Sequence, residues 1–197
     1  MLGFNYKKAV QALNFFAIKG GGEINKMKAL KLIWLSDRLH LRKFGRPILN
    51  DTYFALNYGP VASNTKDLAE NTDFLTSEEK EYRNHYLENT THYNYISKSS
   101  LDQFVFSSSD LEAMQTIYDK FAHLSEFKLS EISHLYPEWK KFESYLNSKT
   151  SSRFEMNYED FFENTDNDYN NFFNDTEESL NLSKEVFLEN GYLYHLV

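Results

Sequence analysis

The chain has no cysteine among its 197 residues. This absence excludes disulfide bonds, thiolate metal sites and a cysteine nucleophile, and it is compatible with a reducing cytoplasm. No run of about 18 apolar residues is present, so the sequence predicts no membrane-spanning helix. The first residues, MLGFNYKKAV, lack the basic region and apolar run of a signal peptide. We therefore expect a soluble cytoplasmic protein.

The composition is that of a globular protein, with 41% apolar and 17% aromatic residues. Its charge is unevenly distributed. Residues 1–50 hold ten Lys or Arg and two acids, whereas residues 151–197 hold two Lys or Arg and eleven acids. The two ends could attract one another, or they could lie on separate solvent-exposed faces. The basic end could also provide a binding face for a partner. Because the net charge is -8, nucleic acid is not an expected partner of the chain as a whole.

The longest helical pattern runs from about residue 25 to residue 45. Apolar residues recur through it at helical spacing, at Met27, Leu30, Ile33, Trp34, Leu41 and Phe44. Asn25 is a predicted N-cap and Gly45 a predicted left-handed C-cap, with basic residues at the negative end of the helix dipole. A helix that is apolar on several sides must be wrapped by the rest of the domain, so we expect a central strut.

Further patterns predict a mainly α fold with a small antiparallel β element, an α+β class with two or three short strands. Helices are expected at about Phe4–Ile18, Ala62–Asn71, Ser77–Glu88, Asp110–Phe121, Lys128–Tyr136 and from Pro137 to Leu146. Strands are expected at Asp51–Tyr58, ended by Gly59 and Pro60, and in a hairpin of Tyr93–Ser97 with Phe104–Phe106. Capping boxes are predicted at Thr76 with Glu79 and at Ser109 with Glu112. The glycine run at residues 20–22 is interpreted as a helix–helix connection.

The sequence changes character near residue 150. We predict a domain over residues 1–149 and, over residues 150–197, an acidic appendage docked on it. The phenylalanine pairs at 161–162 and 172–173 argue against a simple disordered tail. Helix is expected at Tyr158–Asn164 and Ser183–Asn190, with Gly191 as the stop.

Candidate chemistry is sparse. Asp37 and His40 lie three positions apart on one helix face, where the carboxylate could orient or charge the imidazole. Other possible ligands follow no recognised metal spacing: Asp51, His85, His92 and His134. A structural network is the favoured interpretation, with a partner-binding surface or a catalytic or metal site as alternatives. The P-loop and Gly-x-Ser-x-Gly motifs are absent. We therefore predict no catalytic residue, no metal site and no cofactor.

A helix-turn-helix is a weaker possibility for residues 110–121 and 128–136. The second helix, LSEISHLY, has no arginine and little that reads base edges. Core packing is therefore the preferred interpretation of these helices.

The stretch from Leu30 to Leu68 carries linked motifs: Lys-Leu, Asp-Arg-x-His-Leu, Phe-Gly-Arg-Pro-Ile and Tyr-Gly-Pro-Val. The residues concerned are Lys31, Asp37, His40, Gly45, Arg46, Pro47, Tyr58, Gly59, Pro60 and, further along, His134. With these motifs the chain resembles the SocA-like or Panacea antitoxin domain, a phage-associated family of type II toxin–antitoxin systems. The resemblance covers about residues 5–146, and it implies that these residues have structural or partner-binding roles.

The resemblance implies a non-enzymatic antitoxin that neutralises a cognate protein toxin by direct sequestration. It also implies an alternative, a proteolytic adaptor that delivers a toxin to a ClpXP-type protease. A metal-dependent enzyme that uses Asp37 and His40 is a second alternative. The expected partners are therefore a toxin and, under the adaptor alternative, the protease.

Overall fold

The computed structural model describes the backbone of residues 3–193 and the side chains of residues 3–191. Over this range the chain is mainly helical, which confirms the predicted α+β class, and its β part consists of two small antiparallel sheets of three strands each where two or three strands in all were expected. The α-helices are α1 (Tyr6–Lys19), α2 (Lys26–Phe44), α3 (Ser63–Glu70), α4 (Ser77–Tyr86), α5 (Ser108–Phe121), α6 (Glu126–Ser133), α7 (Pro137–Lys140), α8 (Glu143–Asn147) and α9 (Glu177–Leu193). The strands are β1 (Glu23–Asn25), β2 (Tyr53–Leu56), β3 (Gly59–Ala62), β4 (Leu87–Asn89), β5 (Asn94–Ser97) and β6 (Phe154–Glu155). Short 3-10 helices cover Gln103–Val105, Tyr158–Phe162 and Tyr169–Asn171.

Helix α2 is the centre of the fold, and both predicted caps are confirmed. The Asn25 side chain accepts the N–H of Lys28, and Gly45 takes a left-handed conformation with φ of 66°. Its 19 residues span about 28 Å at 1.5 Å per residue. Every residue from Ala29 to Arg42 is buried, because α1, α3, α5, α6, α9 and strand β3 surround the helix. The predicted strut is therefore confirmed.

The first sheet has the order β1-β5-β4. The predicted hairpin of Tyr93–Ser97 with Phe104–Phe106 is wrong, because β5 pairs with β1 and β4 instead. The Asp102 side chain accepts the N–H of Phe104 and caps a 3-10 helix there. Strand β1 was not predicted. Its position follows the left-handed Gly21 and Gly22, with φ of 89° and 103°, which turn the chain back toward β5.

The second sheet has the order β3-β2-β6. Strands β2 and β3 form a hairpin in which Ala55 faces Pro60 and Leu56 faces Gly59. Gly59 and Pro60 therefore begin the second strand of a hairpin, and the prediction that they only end a strand is wrong. Strand β6, from the acidic C-terminal part, adds to the other edge of β2.

Four local predictions differ from the structure. Ser107 and Asp110, not Ser109 and Glu112, form the capping box of α5. Helix α6 ends at Ser133, and the helix predicted after Pro137 is broken into α7 and α8. Helix α9 begins six residues before the predicted start and runs through Gly191 to Leu193. A glycine inside a helix costs only about 1 kcal/mol, so it does not by itself end one. The capping box of Thr76 with Glu79 is confirmed.

A single apolar cluster joins α1, α2 and the C-terminal aromatics. Phe161, Phe162 and Phe173 are buried in the same cluster as Trp34 of α2. Residues after 150 thus contribute directly to the core, while a domain boundary at residue 149 stays a prediction. Across residues 3–193, no helix combines the length and the hydropathy that a membrane crossing requires.

Candidate functional site

The motif residues that the sequence singled out lie along α2 and the segments packed on it. Asp37 is fully buried; its Oδ1 accepts the backbone N–H groups of Ile48 and Leu49 at 2.7 and 3.2 Å. Its Oδ2 accepts the hydroxyl of Tyr53 at 2.9 Å. Burial raises the pKa of Asp37 to about 7, against the opposite effect of these three hydrogen bonds. Asp37 therefore fixes the chain between the Gly-Arg-Pro turn and β2.

His40 forms hydrogen bonds with the turn that follows α2 and with the start of α5. Its Nδ1 lies 2.7 Å from the carbonyl oxygen of Arg46, and its Nε2 lies 3.0 Å from the hydroxyl of Ser109. Because a carbonyl can only accept, the proton is assigned to Nδ1 and Nε2 accepts from Ser109. Desolvation lowers the pKa of His40 to about 4, so the ring is neutral at pH 7. Asp37 and His40 thus both bond to the turn that follows α2, at neighbouring residues, and not to each other.

Arg46, in contrast, lies at the surface. Its guanidinium contacts the buried carboxylate of Asp110 at 3.0 Å and donates to Ser107 at 2.9 Å. Lys8 contacts the same carboxylate at 2.7 Å. The Asp110 pKa is lowered, since the contacts with Lys8, Ser107 and Arg46 outweigh desolvation, its largest single influence. This cluster joins α1, the Gly-Arg-Pro turn and the start of α5.

Lys31 supports the other motif, Tyr-Gly-Pro. Its buried Nζ donates to the carbonyl of Pro60 at 2.7 Å. A Cβ built on Gly59 would lie 2.9 Å from that Nζ and 2.0 Å from the hydroxyl of Ser133. The ring of His134 stacks on Trp139 with centroids 3.7 Å apart. The hairpin tip is therefore held between α2 and α6.

The burial of Lys31 predicts a pH-dependent stability. Desolvation lowers its pKa to about 7 in the folded chain, against about 10.4 in an unfolded one. Between these values the folded state binds fewer protons, so the free energy of unfolding rises with pH. Between the two pKa values, the slope of this free energy against pH approaches about 1.4 kcal/mol per pH unit. The stability gained in this way is lost as the pH falls to 7. Urea unfolding at pH 7.5 and 9.5 measures it.

Lys31→Met is the matched control for this slope. The variant loses the hydrogen bond to Pro60, so its absolute stability is not the quantity compared. Its free energy of unfolding should depend on pH less steeply than that of the wild type over the same interval. Equal slopes in the two proteins would show that Lys31 stays charged in the fold.

Two arginines of α2 that were not among the predicted site residues make buried polar contacts with distant parts of the chain. Arg42 donates to five acceptors between residues 161 and 175. Arg38 pairs with the buried Glu138 at 2.5 Å, and its guanidinium carbon lies 4.5 and 5.1 Å from the centres of the Tyr136 and Phe173 rings. A sequence signal existed: an arginine in a helix that is apolar on several sides must find buried partners. The ion pair of Arg42 with Asp175 is one attraction between the basic and acidic ends of the chain.

A groove with a volume of about 650 Å³ lies between β2, β6 and α9. Asp51 lines it and is the obvious chemical candidate there. Both of its carboxylate oxygens, however, accept hydrogen bonds from Asn64 and Thr65 at the start of α3. Within residues 3–191, no three His, Asp or Glu side chains are grouped as a metal site requires. Lys31, Asp37, His40 and Asp51 thus each bond to other parts of the chain.

The β2–β3 hairpin offers an apolar surface on its outer side, which we call the hairpin surface. Phe54, Leu56 and Val61 are half-buried there, and Phe74 beside them is 88% exposed. The guanidinium of Arg153 lies 4.9 Å from the centre of the Phe54 ring. Exposed aromatic rings beside an arginine are typical of protein-binding surfaces.

Comparison with known proteins gives one match. A family model described as "Antitoxin SocA-like, Panacea domain" matches residues 30–140. That span is more than half of the chain, and it contains every motif residue discussed above. Neither a curated protein nor a solved structure matches the sequence.

Proposed function

Because the chain belongs to the SocA-like Panacea antitoxin family, we propose that it neutralises a cognate protein toxin by binding it directly. The family match carries this proposal, since it supports a general antitoxin role. Sequestration requires a rigid scaffold and an accessible surface, but no reaction. We place this complex in the cytoplasm, because a chain without cysteine needs no oxidising compartment for disulfide formation.

The contacts of the motif residues are consistent with a binding protein. Lys31, Asp37 and His40 would be the candidates for proton transfer, yet each is buried and bonded to the chain itself. A general acid or base must reach the proton it moves. The same residues rigidify the scaffold, which lowers the entropic cost of forming an interface. We therefore propose that the protein has no catalytic activity of its own.

Coexpression with the product of the adjacent gene tests the proposal. The neighbour alone should stop growth, and coexpression of this protein should restore it. The two proteins should also copurify as a complex, because sequestration requires stable binding. A neighbour that is harmless alone, or that stays lethal beside the folded protein, contradicts the antitoxin proposal.

The toxin's half-life distinguishes sequestration from delivery to a protease. Sequestration leaves the half-life unchanged or lengthens it, since bound toxin is folded and covered. A half-life that shortens only when this protein and a ClpXP-type protease are both present would favour the adaptor alternative. The measurement needs the same coexpression strains with and without the protease.

A further inference from the structure

Helix α9 has one side in the core and one side in solvent. Leu180, Ser183 and Phe187 are buried, as the spacing of a core-facing helix requires. The opposite side carries two apolar residues one turn apart, Leu182 and Val186, which are 60% and 44% exposed. Leu182 is the more exposed of the two, while Val186 is partly covered by Gly45 at the end of α2. A pair of exposed aliphatic residues is ordinary on a protein surface, so it points to a partner only together with the charges around it.

At 100° per residue, three glutamates share this side with the apolar pair. They lie within about 60° of Leu182 around the helix axis and are all exposed. We define the α9 face as Glu178, Leu182, Glu185, Val186 and Glu189. The lysine at position 184 lies on the other side and pairs with Glu159 at 3.2 Å. Across the described part of α9, the face therefore carries charge of one sign only.

The face is held rigidly against α2. A Cβ built on Gly45 would lie 2.5 Å from the carbonyl oxygen of Ser183 and 2.7 Å from the Cβ of Val186. The two helices therefore meet at backbone distance. Phe44, the residue before this contact, is itself 43% exposed. A preformed face loses little conformational entropy on binding, which favours its use as an interface.

The charge of the α9 face identifies the kind of partner. The hairpin surface is bordered by both signs, with Lys66 and Arg153 beside Asp67, so its charge selects no partner. The α9 face instead repels acidic proteins and attracts basic ones. Two aliphatic side chains flanked by three carboxylates are complementary to an apolar groove bordered by lysine or arginine.

We propose that the α9 face is the docking surface for the toxin, and that the toxin meets it with an apolar groove edged by basic residues. The inference rests on the proposed function and adds to it the location of the contact and the chemistry of the partner. It also places the contact outside residues 30–140, the span that the family model matches.

The apolar part of the face is tested by Leu182→Gln with Val186→Gln. Glutamine keeps helix propensity. Leu182 is exposed but Val186 also contacts Gly45, so Leu182→Gln alone, whose Tm should be unchanged, separates lost binding from lost packing. The purified product of the adjacent gene is the binding probe. The double variant should bind it at least about 30-fold more weakly, the size expected for two interface anchors. Phe74→Gln, on the hairpin surface, tests the competing contact. Phe104→Gln, a fully exposed ring outside both surfaces, is the matched control and should bind like the wild type.

The charged part is tested by converting Glu178, Glu185 and Glu189 together to Gln. Affinity for the same probe should fall about 10-fold at 50 mM salt, and the loss should be small at 300 mM salt, where surface charges are screened. A control triple at exposed glutamates elsewhere (Glu81, Glu112 and Glu163) has the same net charge and should retain most of the affinity.

The outcomes separate the two proposals. If the wild type protects cells and the α9 variants protect equally well, the α9 inference is wrong and the antitoxin proposal stands. An equal loss with Phe74→Gln would also overturn it, since the hairpin surface would then be in the contact. Self-association that is lost in the α9 variants, with toxin binding intact, would assign the face to a second copy. If the wild type neither binds nor protects, both proposals fail.

Discussion

Gly59→Ala is expected to destabilise the protein by about 4 kcal/mol or more, enough to unfold much of a marginally stable domain. Two costs add. Gly59 has φ of 94°, a conformation that an alanine adopts only with strain. The new Cβ would also lie 2.0 Å from the hydroxyl oxygen and 3.2 Å from the Cβ of Ser133. Urea unfolding of the purified variant measures the loss.

Relief of that clash by side-chain movement is blocked. Ser133 is fully buried, and its hydroxyl donates to the carbonyl of Ser130 at 2.7 Å. Lys31, the other neighbour, is fixed by its bond to Pro60. The hairpin tip must therefore move away from α6, which breaks the contact that holds the Tyr-Gly-Pro motif in place.

Gly21→Ala is the matched control for Gly59→Ala. Gly21 has a similar φ of 89°, but a Cβ built there meets nothing within 4 Å. Only the backbone strain applies, so the loss should be about 1–2 kcal/mol. A second variant, Gly59→Ala with Ser133→Gly, should recover part of the stability because the clashing atoms are removed. Equal losses at the two glycines would mean that the hairpin tip is not tightly packed.

Local sequence features were sufficient to predict most of the helical framework. The caps of α2 at Asn25 and Gly45 involve groups within four residues of each other, so short-range pattern defines them. The amphipathic stripe of α5 likewise follows from spacing along one helix. Strand pairing, in contrast, is not defined by short-range sequence pattern. β1 pairs with β5 about 70 residues away, and nothing in the glycine run at residues 20–22 indicates that partner.

In the candidate site, too, the sequence indicated residues but not their distant partners. Motif resemblance pointed to Lys31, Asp37 and His40, but their hydrogen-bond partners had to be seen in three dimensions. The Asp37–His40 interaction considered from the sequence assumed that neighbours on a helix face bond to each other. Both side chains instead bond to backbone groups of the turn at residues 46–49. Exposure of Leu182 and Val186 could not be predicted, because it depends on which side of α9 faces α2.

Arg42→Met is expected to cost about 3–5 kcal/mol and to release the C-terminal part from α2. The Arg42 side chain is fully buried, and all five N–H donors of its guanidinium are used. Nε donates to Asp175, Nη1 to the carbonyls of Phe161 and Glu163, and Nη2 to Asn164 and the carbonyl of Phe173. Removing the guanidinium leaves these acceptors, several of them buried, without a donor. Losing one partner of a buried polar network is costly because the remaining groups stay desolvated and unpaired. Thermal unfolding measures the loss.

Arg42→Lys should rescue little of this stability, because an ammonium has three donors and cannot reproduce the planar fork. Lys43→Met is the matched control: the next residue is basic but exposed, so its loss should stay within about 0.5 kcal/mol. Hydrogen exchange then locates the effect. In Arg42→Met, amides of residues 154–175 should lose protection before those of α1 and α2. Uniform loss would mean that the C-terminal part and the helical framework unfold as one unit. Selective loss would show that Arg42 is what holds the acidic segment, and with it α9, in the position that the docking proposal requires.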